Sequence, residues 1–142
     1  MRLQLAGWVA LGDTTYFNSQ RQCTAGVFYT KARNVKSRIS KARSIKQALR
    51  VIDKGQAVAF RVDGMTPSEV HKQLDLANRT AGIGMLTSGL GGRNCLTPAL
   101  QDEFAAALRG QDVIVLYDPS NHAFALFERA TKRVFYARGD VG

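Results

Sequence analysis

Acidic side chains are scarce in the first half of this sequence. Residues 1–65 contain three Asp or Glu against twelve Lys or Arg, whereas residues 66–142 contain eight of each. The net charge of +9 therefore lies entirely in the first half. Such an imbalance points to an anionic partner or surface. A solvated basic face that keeps the protein monodisperse is the alternative interpretation.

Proline, cysteine and long apolar runs are also few. No stretch is long enough to span a bilayer as a helix. The length of 142 residues is close to that of one domain, and a chain of this size builds a core without metal or disulfide staples. The two cysteines, Cys23 and Cys95, could pair in an oxidising compartment or remain buried thiols in the cytosol. The protein could therefore be cytoplasmic, or it could be exported or membrane-tethered.

Residues 1–20 form an apolar segment that we separate from a single α+β domain over residues 21–142. The run MRLQLAGWVALG is shorter than the roughly 15–30 residues of a secretory signal. We expect this segment to be a helix packed on the core or the remnant of a membrane anchor.

The remaining chain predicts a mostly antiparallel sheet of about five strands with helices on one face, in the order β-α-β-α-α-β-β-β. A Thr-Pro pair predicts the start of a helix at Thr66 and again at Thr97. The five glycines of residues 82–92 predict a loop or a broken helix. The predicted strands cover residues 22–30, 56–62, 112–117, 122–128 and 133–138.

The most informative segment is the basic one. Eight Lys or Arg lie between Lys31 and Arg50, and no acid follows until Asp53. Apolar residues at three- and four-residue steps predict a helix over residues 35–53 with one face on the core. Lys36, Arg43 and Arg50 are seven residues apart and would line up along that helix.

This pattern predicts a non-enzymatic binding domain whose basic helix face, residues 35–54, contacts an anionic partner. Nucleic acid is the favoured partner because cations that follow a phosphate backbone bind it independently of sequence. An acidic protein surface or a peripheral contact with an anionic membrane remains an alternative. The predicted contact residues are Arg33, Lys36, Arg43, Lys46, Arg50, Lys54 and Arg61.

A second interpretation is an exported or membrane-tethered accessory protein with a Cys23–Cys95 disulfide. Residues 44–74, SIKQALRVIDKGQAVAFRVDGMTPSEVHKQL, resemble the helix, Gly, strand, Gly-x-Thr, helix pattern near the LysM-like region of endolytic murein transglycosylases. The resemblance implies an exported domain that contacts an envelope polymer, and it carries over no active-site residue.

A third interpretation is a small enzyme that uses the glycine-rich residues 82–95. Backbone amides of Ser88 to Asn94 could bend around a phosphate beside Arg93. The sequence has no P-loop, no paired carboxylates and no cluster with metal-ligand spacing. We therefore predict no catalytic residue, metal ligand or cofactor, and favour a binding protein over an enzyme.

Overall fold

The computed structural model describes residues 5–139. In this range the chain forms one seven-stranded sheet and four helices. The strands are β1 (Val9–Ser19), β2 (Cys23–Val35), β3 (Ser40–Ala42), β4 (Val58–Phe60), β5 (Val113–Asp118), β6 (Ala123–Glu128) and β7 (Arg133–Gly139). The helices are α1 (Ile45–Asp53), α2 (Pro67–Ala77), α3 (Arg79–Arg93) and α4 (Pro98–Leu108).

The sheet has the strand order β1-β2-β7-β6-β5-β4-β3. Every neighbouring pair is antiparallel except β3 and β4, which are parallel and are joined by α1. The predicted α+β class with a mostly antiparallel sheet is confirmed. The predicted number of about five strands is too low, because β1 and β3 were not recognised as strands.

Both faces of the sheet are buried. On one face the side chains of Val115, Leu126 and Phe135 pack against residues of all four helices. On the opposite face Leu116, Phe127 and Tyr136 belong to a second cluster that contains no residue of these helices. The helices therefore lie on one face, as predicted, and another part of the chain must cover the second.

The open end of the β1–β2 hairpin, together with the residues that flank it, covers the second face. β2 pairs with β7 only as far as Tyr29, which lies opposite Arg133, and then continues to Val35 beyond the end of β7. Val35 is buried in the second cluster together with Trp8 and Ile39. The chain thus crosses the second face between the end of β2 and the start of β3.

The predicted helix over residues 35–53 is wrong in its first half. Residues 40–42 form the edge strand β3, and α1 begins only at Ile45, where the Ser44 hydroxyl accepts the N–H of Gln47. Ile39 and Ala42 matched the helical period, but they are buried in different clusters on the two faces of the sheet. A three-residue spacing places two apolar side chains on one face of a helix, and it also places them on opposite faces of a strand.

Two other expectations differ from the structure. Residues 9–19 of the predicted N-terminal segment form strand β1, whereas residues 1–4 lie outside the described range. The glycine-rich segment is not a loop: Arg79–Arg93 is a continuous helix, α3, with Asn78 as its N-cap.

The expected helix starts are confirmed, since Thr66 and Glu69 form a reciprocal capping box. The Thr66 backbone N–H and then its hydroxyl lower the pKa of Glu69.

The glycines of α3 allow this helix to approach its neighbours closely. A Cβ atom at Gly82 would lie 2.5 Å from the Cα of Asp75 on α2. A Cβ atom at Gly92 would collide with the backbone of Ala137 and Arg138 on β7. Glycine normally weakens a helix interior by roughly 0.5–1 kcal/mol relative to alanine, and the close packing offsets that cost here.

A disulfide connects the start of β2 to the turn after α3. Cys23 and Cys95 have Cα atoms 5.8 Å apart and are separated by 72 residues in sequence. The carbonyl of Cys95 also accepts hydrogen bonds from the Tyr16 hydroxyl at 2.6 Å and from Asn18 Nδ2 at 3.0 Å. The hairpin and the helical layer are therefore held together at this point.

Substitution of Gly92 tests the close approach of α3 to the sheet. We expect Gly92→Ala to lower the free energy of unfolding by about 1–3 kcal/mol, as overpacking does, although alanine is the better helix former. Thr80→Ala, on the exposed side of the same helix, is the control and should be neutral or slightly stabilising. Urea denaturation measures both. A stabilised Gly92→Ala variant would show that the helix does not approach β7 this closely.

A thiol count on denatured, unreduced protein tests the disulfide. We expect no free thiol in protein isolated without reductant. The chain-entropy model gives a loop of this length about 4 kcal/mol of stabilisation, so the Cys23→Ser/Cys95→Ser variant should unfold at a markedly lower urea concentration. Two free thiols per chain, together with equal stability of the variant, would contradict the pairing.

Candidate anion-binding surface

Six of the seven predicted contact residues lie around the β3 edge of the sheet, and Arg33 lies on β2 at the start of the segment that leads to this edge. We call this surface the basic edge and include Arg38 and Lys41, which fall between the predicted residues. Arg61 is half-buried and the other members are exposed. The basic edge comprises Arg33, Lys36, Arg38, Lys41, Arg43, Lys46, Arg50, Lys54 and Arg61.

Helix α1 carries one regular row of these cations. Lys46, Arg50 and Lys54 follow one another at four-residue steps, so neighbouring members are about 6 Å apart along the helix axis. The row predicted from Lys36, Arg43 and Arg50 does not exist, because the first two residues precede the helix. Arg50 in the last turn also interacts favourably with the negative end of the helix dipole.

Arg43 and Arg61 are brought to the same end of the parallel strands. The backbone N–H of Arg61 donates to the carbonyl of Ala42 at 2.7 Å and so continues the pairing of β3 with β4. Arg43 follows Ala42 directly, and its N–H donates to Gln47 Oε1 at 2.8 Å. Although 18 positions separate them in sequence, their backbones are adjacent at the start of α1.

The remaining cations lie on the chain that covers the second face of the sheet. The N–H of Lys36 donates to the carbonyl of Trp8 at 2.6 Å, which anchors the backbone of this segment to the start of β1. Lys41 Nζ donates to the carbonyl of Lys36 at 3.2 Å. The basic edge therefore continues around β3 from the helical side of the sheet to the opposite side.

The cations of the basic edge lack acidic partners. Within residues 5–139 the ion pairs join Arg129 to Asp112, and Arg133 to Glu103 and to Glu128, and none involves the basic edge. The acidic partners in these pairs, Asp112, Glu103 and Glu128, all belong to the second half and bind arginines of that half. The positive charge of the basic edge is left for solvent or for an anion.

Arg129 is a neighbour of this surface that the sequence interpretation missed. Its Nε donates to the carbonyl of Arg33 at 2.8 Å, and its NH1 group lies 3.5 Å from Asp112. Arg129 and Arg61 line a polar cleft of about 90 Å³ that also contains Asp63 and Asp112. Arg129 gave no sequence signal because it belongs to the half of the chain in which acids and bases balance.

The glycine-rich segment differs from the loop on which the enzyme interpretation was based. The glycine-rich segment is helical, so its backbone amides are engaged along the helix and form no phosphate-binding loop. Cys95 is bonded to Cys23, and His122 lies in an exposed turn with a φ of 52°. An apolar cavity of about 150 Å³ beside α3 is bordered by His71, whose Nε2 is 3.0 Å from the carbonyl of Gly82.

The remaining findings concern metal sites, membrane-spanning helices and similarity to known proteins. Over the described range, no group of three or more His, Cys, Asp or Glu side chains is arranged to hold a metal ion. None of the helices described here is long and apolar enough to cross a membrane. Family models, curated proteins and solved structures gave no match to this chain.

Proposed function

We propose that this protein is a non-enzymatic binding domain that holds an anionic polymer, nucleic acid in particular, against the basic edge. The observation that carries the proposal is the lack of any carboxylate partner for its nine cations among residues 5–139. Like charges on neighbouring helix positions repel, at a few tenths of a kcal/mol per pair. A bound polyanion removes that repulsion.

The extent of the surface favours a polymer over a small anion. The row on α1 runs along the whole helix, and the cations of the covering segment continue it around β3. A small anion would occupy only one part of this surface. A phosphate backbone contacts many such cations at once and releases the counterions bound to it, which produces strong and salt-dependent affinity.

A membrane explains the surface less well. The apolar residues of α1, namely Ile45, Leu49 and Ile52, pack against the core beneath the helices and are not available for insertion into lipid. A membrane contact by the basic edge would therefore be electrostatic alone, at about 1 kcal/mol per basic residue near the surface.

The disulfide favours a second candidate function. Stable disulfides are typical of exported proteins, in which the basic edge would face an acidic protein or an envelope polymer. The thiol count described above separates the compartments: paired cysteines in protein from its natural source favour the exported protein, and free thiols favour a cytosolic partner.

Removal of single cations tests the proposal. We expect Arg50→Ala to weaken binding of labelled DNA and RNA by a similar factor for every sequence, and to lower the slope of log K against log[salt] by about 0.7–0.9. Arg21→Ala is the control, because Arg21 is also an exposed cation but lies in the turn between β1 and β2, at the opposite end of β2 from Arg33. Fluorescence anisotropy at ~50 and ~200 mM salt measures both.

Three outcomes would count against the basic edge as a nucleic-acid site. These are no binding at the lower salt concentration, equal effects of Arg50→Ala and Arg21→Ala, and binding that is insensitive to salt. Co-sedimentation with phosphatidylserine vesicles, combined with no binding of DNA or RNA, would assign the surface to a membrane instead.

A further inference from the structure

Tyr29 differs from the other three tyrosines of the chain. The Tyr16 hydroxyl donates to the carbonyl of Cys95, and the Tyr136 ring is buried 6.5 Å from the ring of Trp8. Tyr117 is buried and hydrogen-bonded to Ser88; burial and then Asp118 raise its pKa. The Tyr29 side chain is 47% exposed and forms no hydrogen bond or ring contact with any residue from 5 to 139.

The backbone beneath Tyr29 is nevertheless well held. Tyr29 lies opposite Arg133 of β7, and the next residue, Thr30, pairs with Leu11 of β1. The N–H of Thr30 also donates to the carbonyl of Lys132 at 2.7 Å. Tyr29 therefore lies on a strand that is hydrogen-bonded to a neighbour on each side. Because the backbone is already ordered, little conformational entropy is lost when a ligand stacks on the ring.

The cations next to Tyr29 on β2 are exposed. Lys31 is two residues further along the strand and is exposed, and Arg33, also exposed, leads into the basic edge. By contrast, the side chain of Arg133, which lies opposite Tyr29, is already bound by acidic residues. Burial would lower the pKa of Arg133, but Glu103 and Glu128 bind its guanidinium and raise it, which leaves this arginine charged and occupied.

We propose that the ligand is single-stranded nucleic acid, with one base stacked on the Tyr29 ring and adjacent phosphates held by Lys31 and Arg33. This inference rests on the function proposed above and specifies its partner. Exposed aromatic rings beside cations bind single strands because every base offers a flat face. In a duplex the base faces are stacked on one another, so Tyr29 would contribute little to binding of double-stranded DNA.

Matched oligonucleotides test this inference. We expect the wild-type protein to bind labelled oligothymidylate more tightly than a duplex of the same length. Tyr29→Ala should weaken single-strand binding roughly 5- to 150-fold, the effect of losing one base–aromatic stack, with an unchanged salt slope. Arg33→Ala should instead lower the slope by about 0.7. Tyr29→Phe should retain most of the affinity.

Phe17→Ala is the control for loss of an exposed aromatic side chain. Phe17 is 54% exposed on the same hairpin, but it lies near the turn between β1 and β2 and away from Arg33. Equal binding of single strand and duplex, or equal effects of Tyr29→Ala and Phe17→Ala, would overturn the inference while leaving the basic edge as a nucleic-acid site. No binding of either nucleic acid would overturn the proposed function as well.

Discussion

Burial of the central strands on both faces is the constraint on which the rest of the structure depends. β5, β6 and β7 alternate apolar side chains between two clusters, and residues such as Val115 and Leu116 leave no polar face for solvent. Four helices cover one face. Since none of α1 to α4 contributes to the cluster on the other face, Trp8 before β1, Val35 at the end of β2 and Ile39 beyond it cover that face. This arrangement makes the hairpin part of the core.

The same constraint determines where charge can lie. A charged side chain is costly on either face of the central strands, because burial in an apolar environment disfavours it unless it is paired. The second half of the chain supplies most of these strands, and its partly buried Arg133 is accordingly bound by two carboxylates. The cations of the basic edge lie away from these strands, most of them on the covering segment, on the edge strand β3 and on the exposed face of α1. The basic edge thus reflects both the composition and the topology.

The elements that the sequence predicted correctly are those with independent local signals. Thr66 has a proline after it and Glu69 at the third helical position, and β5 is apolar from Val113 to Tyr117. The errors occurred where tertiary contacts decide. The glycines of α3 are poor helix formers, and their helix exists because Gly82 and Gly92 let it approach α2 and β7. The cations of the site were visible in sequence, but Arg129 and the path of the chain around β3 were not, since both depend on pairing between distant segments.

Protection of a sheet edge is the simplest alternative explanation for the cations. β3 is an edge strand, and an exposed lysine on such a strand discourages pairing with another chain. That explanation accounts for Lys41, which lies on β3 itself. It does not account for Lys46 and Arg50 on α1 or for Lys54 at its C-cap, because the backbone of this helix is already hydrogen-bonded. Protection of an edge strand needs only one or two charges on that strand. Contact with a polyanion needs a row of charges that continues beyond the strand, and the cations of α1 provide such a row.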